Sequence, residues 1–211
     1  MTKLDLKKEF RHLYTASARR VDIVDVPPFN FAMIDGQIDP GMFPAESPSF
    51  QEDLQAIYGV SYTLKFMSKL RDVDPIDYKV MALEGLWWTE SGDVDFERKE
   101  PWYYTLLMMQ PEHITAEMFY EAVDSLRKKR GDIPALARLR FESFHEGLCM
   151  QILHVGPYDL EPMTIARMRD FAAENGYRLR GLHHEIYLSD PRRAKPERLR
   201  TILRHPIEKV S

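Results

Sequence analysis

The residues best equipped for chemistry in this chain are one carboxylate and a few large aromatics, each on a segment whose alternation reads as a β-strand. Glu185 stands in Leu182-His183-His184-Glu185-Ile186-Tyr187-Leu188. Strand alternation puts His183, Glu185 and Tyr187 on one face and His184, Ile186 and Leu188 on the other. A carboxylate held among aromatics serves either as a counter-charge for a bound cation or as a base toward a bound molecule. The competing reading is a solvated Glu paired with one of the many arginines nearby. Trp102-Tyr103-Tyr104-Thr105-Leu106-Leu107-Met108-Met109 alternates in the same way. Trp102, Tyr104, Leu106 and Met108 share a face; Leu106 and Met108 read as core, and Trp102 and Tyr104 as a ligand wall. Trp87 and Trp88 point to opposite faces, so at most one of them joins that wall; Trp88 is carried as the candidate.

Other chemistries fail on spacing. His183-His184-Glu185 invites a metal reading, but adjacent strand residues diverge and no second His or Cys pair stands at ligand spacing, so neither metal nor cofactor is predicted. Cys149 has His145 and His154 near it in sequence without a known catalytic pattern, and it reads as a buried free thiol. The chain has no G-x-S-x-G, no glycine-rich phosphate loop and no dinucleotide fingerprint, which removes the common hydrolase, kinase and dehydrogenase readings.

The elements that must position these residues fall into two similar halves. In the first, strands over 21–26 and 29–34 are split by Pro27-Pro28, which cannot donate to a ladder. Ser47-Pro48 then opens a helix running to about Leu70, with a hydroxyl cap and proline at the first helical position. Strands over 80–88 and 102–109 follow, joined by a polar loop over 90–100. A connecting helix over 115–130 is capped by Thr115 and ends in Lys128-Lys129-Arg130 before Gly131, the charge order that the helix dipole favours. In the second half, strands over 139–144 and 148–155 precede a helix over 162–174 and strands over 182–188 and 200–203. The predicted fold is α+β: a pseudo-symmetric pair of strand-strand-helix-strand-strand units with an antiparallel sheet and helices packed on one face. The predicted organisation is an extension over 1–20 and a single domain over 21–211, made of repeats 21–110 and 137–207 joined by the helix 115–130. A pocket belongs in the groove between the halves or on the uncovered sheet face.

Composition narrows the class. The 211 residues carry a net charge of −4, without the basic excess of a nucleic-acid binder. The single cysteine excludes an internal disulfide framework and points to a reducing compartment. Charges interrupt every apolar stretch and the N-terminus lacks an apolar signal core, so the expectation is a cytoplasmic protein with no membrane or direct nucleic-acid partner. Nothing in the pattern sets an oligomeric state.

Tyr62-Thr63-Leu64-Lys65-Phe66, Leu83-Glu84-Gly85-Leu86-Trp87-Trp88, Leu153-His154-Val155-Gly156-Pro157-Tyr158 and His183-His184-Glu185-Ile186-Tyr187-Leu188-Ser189-Asp190-Pro191 resemble the stand-alone branch of the GyrI-like small-molecule-binding family, from about Val21 to Ile207. The resemblance implies a cleft between two repeats, walled by aromatics around a central glutamate that maps to Glu185, with Trp102, Tyr104 and Tyr187 as wall residues. It implies a bacterial protein that recognises lipophilic, cationic or electrophilic compounds. One alternative it brings is a detoxifying hydrolase of cyclopropane-bearing toxins, with Glu185 as general base and Tyr187 or Tyr104 assisting. Another is an interaction module such as a gyrase modulator. The 20 residues before Val21 are too short for a helix-turn-helix, so a complete transcription regulator is not expected.

Overall fold

Only Pro27-Pro28 separates two strands that lie nearly at opposite ends of the main sheet, and that link dictates the shape of the molecule. The structure is a computed structural model and describes residues 2–92 and 99–210. In chain order the elements are β1 (Thr2–Leu4), α1 (Leu6–Glu9), α2 (Arg11–Tyr14), β2 (Asp22–Val26), β3 (Phe29–Ile38), α3 (Pro48–Leu70), β4 (Ile76–Tyr78), β5 (Glu84–Trp88) and β6 (Trp102–Gln110). They continue with α4 (Ala116–Arg130), α5 (Pro134–Arg138), β7 (Arg140–Phe144), β8 (Gly147–Val155), α6 (Glu161–Glu174), β9 (Tyr177–Leu179), β10 (His183–Tyr187) and β11 (Arg200–Lys209). The polar loop expected over 90–100 lies largely outside the described residues.

The main sheet runs β2-β8-β11-β10-β5-β6-β3-β7, antiparallel at each pairing, with β9 on the far end of β11. This order is the same read from either end when β2 is matched with β7, β8 with β3, β11 with β6 and β10 with β5. The molecule is therefore the expected α+β fold of two pseudo-symmetric units, and their seam is the β5–β10 pair. Each half, however, gives its first strand to the other: β2 pairs with β8, and β7 pairs with β3. Val26 to Phe29 spans roughly 10 Å of extended chain, whereas six strand spacings of ~4.8 Å would separate β2 from β3 in a flat sheet. The sheet must curl until its ends approach, and the short His145-Glu146 link between β7 and β8 imposes the same curl from the other half.

The helices lie on the outside of the curl. Ser47 caps α3, accepting from the Phe50 amide at 3.3 Å, and Pro48 takes the first turn. Its buried face, including Ala56, Ile57, Val60 and Leu64, packs on β3 and β6. α6 packs on β8 through Met168 and Ala172, forming a second, smaller core with Met150, Ile152, Leu203 and Ile207. The inside of the curl is closed by the N-terminal segment, whose Leu13 and Tyr14 are buried.

Sequence patterning missed six elements. β1, α1, α2, β4, α5 and β9, of three to five residues each, are too short to show a period. β11 continues six residues past the predicted Leu203 because Pro206, facing Cys149, is accommodated within it. The strand expected over 80–88 begins only at Glu84.

Candidate functional site

The register at the seam decides which side chains meet. Glu185 lies opposite Gly85 and His183 opposite Trp87. Trp87 in turn lies opposite Tyr104, and Tyr187 opposite Thr201. Directly opposed residues share a sheet face, so Trp102, Tyr104, Gly85, Trp87, His183, Glu185, Tyr187 and Thr201 all look outward, toward the helices. α3 reaches this face through Phe50, which packs on Tyr104 and Trp87 with ring centroids 5.0 and 5.9 Å away. α6 reaches it through Thr164, 2.9 Å from His154 Nδ1.

Glu185 is 7 % exposed and sits in a closed polar cluster. The first residue of α6 brings the buried carboxyl of Glu161 against it, with the Thr201 hydroxyl beside that carboxyl. Burial and the facing Glu185 hold the Glu161 carboxyl well above the usual carboxylate range, toward its protonated form. On the other side, His183 Nε2 stands 3.3 Å from Glu185 Oε1. Neither Glu161 Oε1 nor His183 Nε2 has a hydrogen-bond partner, although both are buried. Unpartnered buried polar atoms are rare in native structures and concentrate where a ligand or a reaction uses them. Here two of them flank one carboxylate.

Aromatic rings roof this cluster. Trp87 Nε1 donates to the Tyr187 hydroxyl at 2.9 Å, and Tyr158 meets the Tyr187 ring edge-on at 6.1 Å. Burial, then Glu185 and Glu161, push the Tyr187 and Tyr158 phenols up, so both remain hydrogen donors. Tyr58 of α3 reaches the same end, close enough to affect Tyr158. Gly85 makes the arrangement fit. A Cβ there would lie 2.7 Å from Trp87 Nε1 and 3.1 Å from the Tyr187 hydroxyl.

The structure sorts the sequence candidates. Glu185 and Tyr187 are together. Trp102 is one ring further out, edge-on to Trp87 at 5.8 Å. Tyr104 is fully buried behind Trp87, its ring lying over Gly36 and its hydroxyl donating to Asp53 at 2.9 Å. Asp53 is itself held by Arg138, so the Tyr104 hydroxyl is committed to the core. Trp88 does not join the set, because alternation sends it to the inside of the curl, where it stacks on Tyr103 at 5.9 Å; Trp87 takes the place given to it. Glu161, Tyr158 and His183 were missed. Glu161 comes three residues after Tyr158 of the quoted Gly156-Pro157-Tyr158 stretch, but a glutamate opening a helix is explained by the helix dipole alone.

Of two surface cavities, neither lined by Glu185, one borders the cluster and the other opens on the opposite face of the sheet. One, of about 220 Å³, is bounded by His183 and His205 over an apolar floor that includes Met150 and Met168. The other, of about 550 Å³, is a shallow depression beside Trp88 and Tyr103.

On the inner face, directly behind Glu185, a buried ionic network ties the two central strands to the N-terminal segment. His184 Nδ1 is 2.9 Å from Glu146 and its Nε2 is 3.0 Å from Glu84. Arg204 joins Glu146 at 3.1 Å and donates to the Leu13 carbonyl at 2.6 Å, and Tyr14 donates to Glu84 at 2.8 Å. Burial opposes charge on His184, but Glu146 and then Glu84 outweigh it and raise the imidazole to about 9. Burial likewise opposes charge on Glu146, and His184 and Arg204 overcome it, bringing the carboxyl to about 2. Cys149 is buried and burial pushes its thiol up, which is the wrong direction for a nucleophile. Among the described residues no group of three His, Cys, Asp or Glu is arranged to hold a metal ion, and no helix is long and apolar enough to cross a membrane.

Comparison with known proteins adds a family. A model described as the GyrI-like small-molecule-binding domain matches residues 19–208. The chain is similar to an uncharacterised conserved protein from Listeria innocua at 36% identity, over 97% of this chain and 100% of that one, with a TM-score of 0.88. It is similar to a hydrolase from Listeria innocua at 36% identity, over 98% and 100% of the two chains, with a TM-score of 0.87. The C-terminal domain of EcmrR shares the fold at 14% identity, over 90% and 98%, with a TM-score of 0.52. Among curated proteins no significant relative was found.

Proposed function

Because the chain belongs to the GyrI-like small-molecule-binding family, we propose that it binds a lipophilic electrophile against the aromatic wall above Gly85 and hydrolyses it, with Glu185 as general base. The observation that carries this reading is the Glu161–Glu185 pair. Its two carboxyls have unequal surroundings, one held toward its acid form, in a site shielded from bulk water. A plain counter-charge for a cation needs one carboxylate. An acid next to a base is the arrangement of proton-transfer chemistry. The Listeria innocua hydrolase, similar over nearly the whole chain, supports the same class.

For a strained ring conjugated to a carbonyl, such as a cyclopropane-bearing toxin, the steps balance. Glu185 takes a proton from water as the water oxygen bonds to the ring carbon. The ring C–C bond breaks and its electron pair moves to the conjugated carbonyl oxygen. Tyr187, whose hydroxyl accepts from Trp87 and is hydrogen-bonded to Glu185, turns its proton to that oxygen as charge develops there. Glu161 supplies the proton. The facing carboxyls then exchange a proton, restoring Glu185 as the base. Trp87, Tyr158 and Trp102 hold the apolar body of the substrate.

The test is Glu185→Gln, assayed with a cyclopropane-fused dienone by mass spectrometry for the water adduct. Turnover should fall by ~10²–10⁴-fold with binding retained. A variant that still turns over at the wild-type rate would remove the proposal. The aromatic rings around a carboxylate also favour a second reading, a binding module for lipophilic cations. Under that reading no adduct forms, and Glu185→Gln weakens cationic ligands by ~1–3 kcal/mol while sparing neutral ones.

A further inference from the structure

The solvent side of α3 is apolar. From Tyr58 to the end of the helix, each exposed position holds a large apolar side chain: Tyr58, Tyr62, Phe66 and Leu70. Val73 follows just beyond the helix, and the five are between 38% and 74% exposed, in that order. A spacing of four sets such residues in one ridge, and Tyr58 to Leu70 runs for about 18 Å. A surface helix ordinarily turns polar and charged residues outward. α6, the counterpart of α3 in the other half, does so with Arg167, Arg169, Asp170 and Glu174. The fold therefore does not demand the ridge. By side-chain size the five residues leave on the order of 600 Å² uncovered in one strip, the top of what a monomer ordinarily shows, and each partner of a standard interface buries about 800 Å².

We propose that this ridge is the two-fold interface of a homodimer, in which α3 of one copy packs antiparallel against α3 of a second copy. Ridges of this spacing pack two helices at about −50°. Tyr62 and Phe66 then lie at the centre, where aromatic anchors carry most of the energy of an interface.

Charge at the two ends selects a second copy as the occupant. Tyr58 stands close enough to Asp190 and Arg192 to feel both charges. Asp190 is shared by Arg192 and Arg193, both exposed, so cations outnumber carboxylates at that end. At the Leu70 end the exposed charges are Asp72 and Asp74. Lys65 and Lys69 are drawn to Asp77 on β4, and Arg71 donates to the Asp74 carbonyl at 2.7 Å. About a two-fold axis between Tyr62 and Phe66, the Tyr58 end of each copy meets the Leu70 end of the other. The arginines then face the aspartates twice, as an isologous contact requires. A lipid surface instead calls for cations along the whole rim. Tyr58 also neighbours Tyr158 at the end of the Glu185 cluster, so the second copy closes over that end of the site whichever chemistry the site performs.

Sedimentation velocity of the full chain at micromolar concentration should show a dimer. Phe66→Glu puts a charge at the centre of the interface and should raise the dimer dissociation constant by more than about 30-fold, the scale of losing one buried aromatic anchor. Its circular dichroism and Tm should match wild type, because Phe66 is half exposed within one chain. Charge exchange tests the orientation. Arg192→Glu with Arg193→Glu should weaken self-association by repulsion. So should Asp72→Arg with Asp74→Asn, asparagine being chosen because Asp74 has a φ of 47°. Mixed in equal amounts, the two variants should form a one-to-one dimer, each offering the charge that the other lacks, and Phe66→Glu in either should abolish it. A wild-type chain that stays monomeric, or a Phe66→Glu chain that dimerises as tightly as wild type, overturns the proposal. Mixed charge variants that fail to pair overturn it as well. A monomer that instead cosediments with vesicles of phosphatidylcholine and phosphatidylglycerol, and loses them on Phe66→Glu, gives the ridge to a lipid surface and overturns it too.

Discussion

Raising the pH through the alkaline range should destabilise this protein through His184. Its imidazole is raised from 6.5 to about 9 because Glu146 and Glu84 outweigh the effect of burial. The stabilisation is fully present below 6.5, where folded and unfolded chains both hold the proton. Between those values only the folded chain holds it, so stability falls as pH rises, and above about 9 the contribution is gone. At ~1.36 kcal/mol for each pH unit, the interval corresponds to roughly 3 kcal/mol, a large part of the net stability of an ordinary domain. Glu146 is already ionised throughout this range, its own contribution being lost only as pH falls from 4.5 through about 2. Cys149, whose thiol is pushed up by burial, adds to the loss only above its ordinary value of 9.0, where the unfolded chain releases the proton first. The assay is urea denaturation at about pH 6 and about pH 9.5, comparing midpoints at constant m. His184→Gln is the control. It should remove most of the pH dependence while costing ~3–5 kcal/mol, because Glu146 and Glu84 lose the cation between them. Where that variant is too unstable to measure, His184→Gln combined with Glu146→Gln keeps the comparison. Equal wild-type stability at the two pH values would refute the assignment of a charged imidazole to this network.

Two further substitutions probe the floor of the site and the network behind it. Gly85→Ala drives a methyl to 2.7 Å from Trp87 Nε1, so it should separate Trp87 from Tyr187, shift tryptophan fluorescence and cost ~1–3 kcal/mol of stability; an unaltered emission spectrum with unaltered Tm contradicts the close packing. Tyr14→Phe removes the hydroxyl that donates to buried Glu84 at 2.8 Å and should lower stability by ~1–3 kcal/mol, read as a drop in Tm that Glu84→Gln in the same chain reduces. If the two losses simply add, Tyr14 and Glu84 are not coupled.

The local elements were legible because each was written in short-range chemistry. Ser47-Pro48 and Thr115 start helices wherever they occur, and the alternation of His183 to Tyr187 assigns faces without any knowledge of the fold. The same alternation separated Trp87 from Trp88 but gave no sign of which one faced outward, because the choice belongs to the β5–β10 and β5–β6 registers rather than to β5. Tyr104 reads as a wall residue by its position on β6. It is core because Gly36 on the neighbouring strand leaves room for its ring and Asp53 on α3 takes its hydroxyl.

Short-range chemistry set the class of the fold, the order of its longer elements and the strand on which Glu185 and Tyr187 stand on one face. Tertiary structure alone decided the exchange of first strands between the halves, which follows from two links too short to cross a flat sheet. It also decided the company Glu185 keeps. Glu161 arrives from the start of a helix 24 residues earlier, and Trp87, 100 residues away in the chain, reaches Tyr187 across the gap left by Gly85. Neither meeting has a local pattern, because side chains from different elements come together only through register and packing, and those are settled when the whole sheet closes.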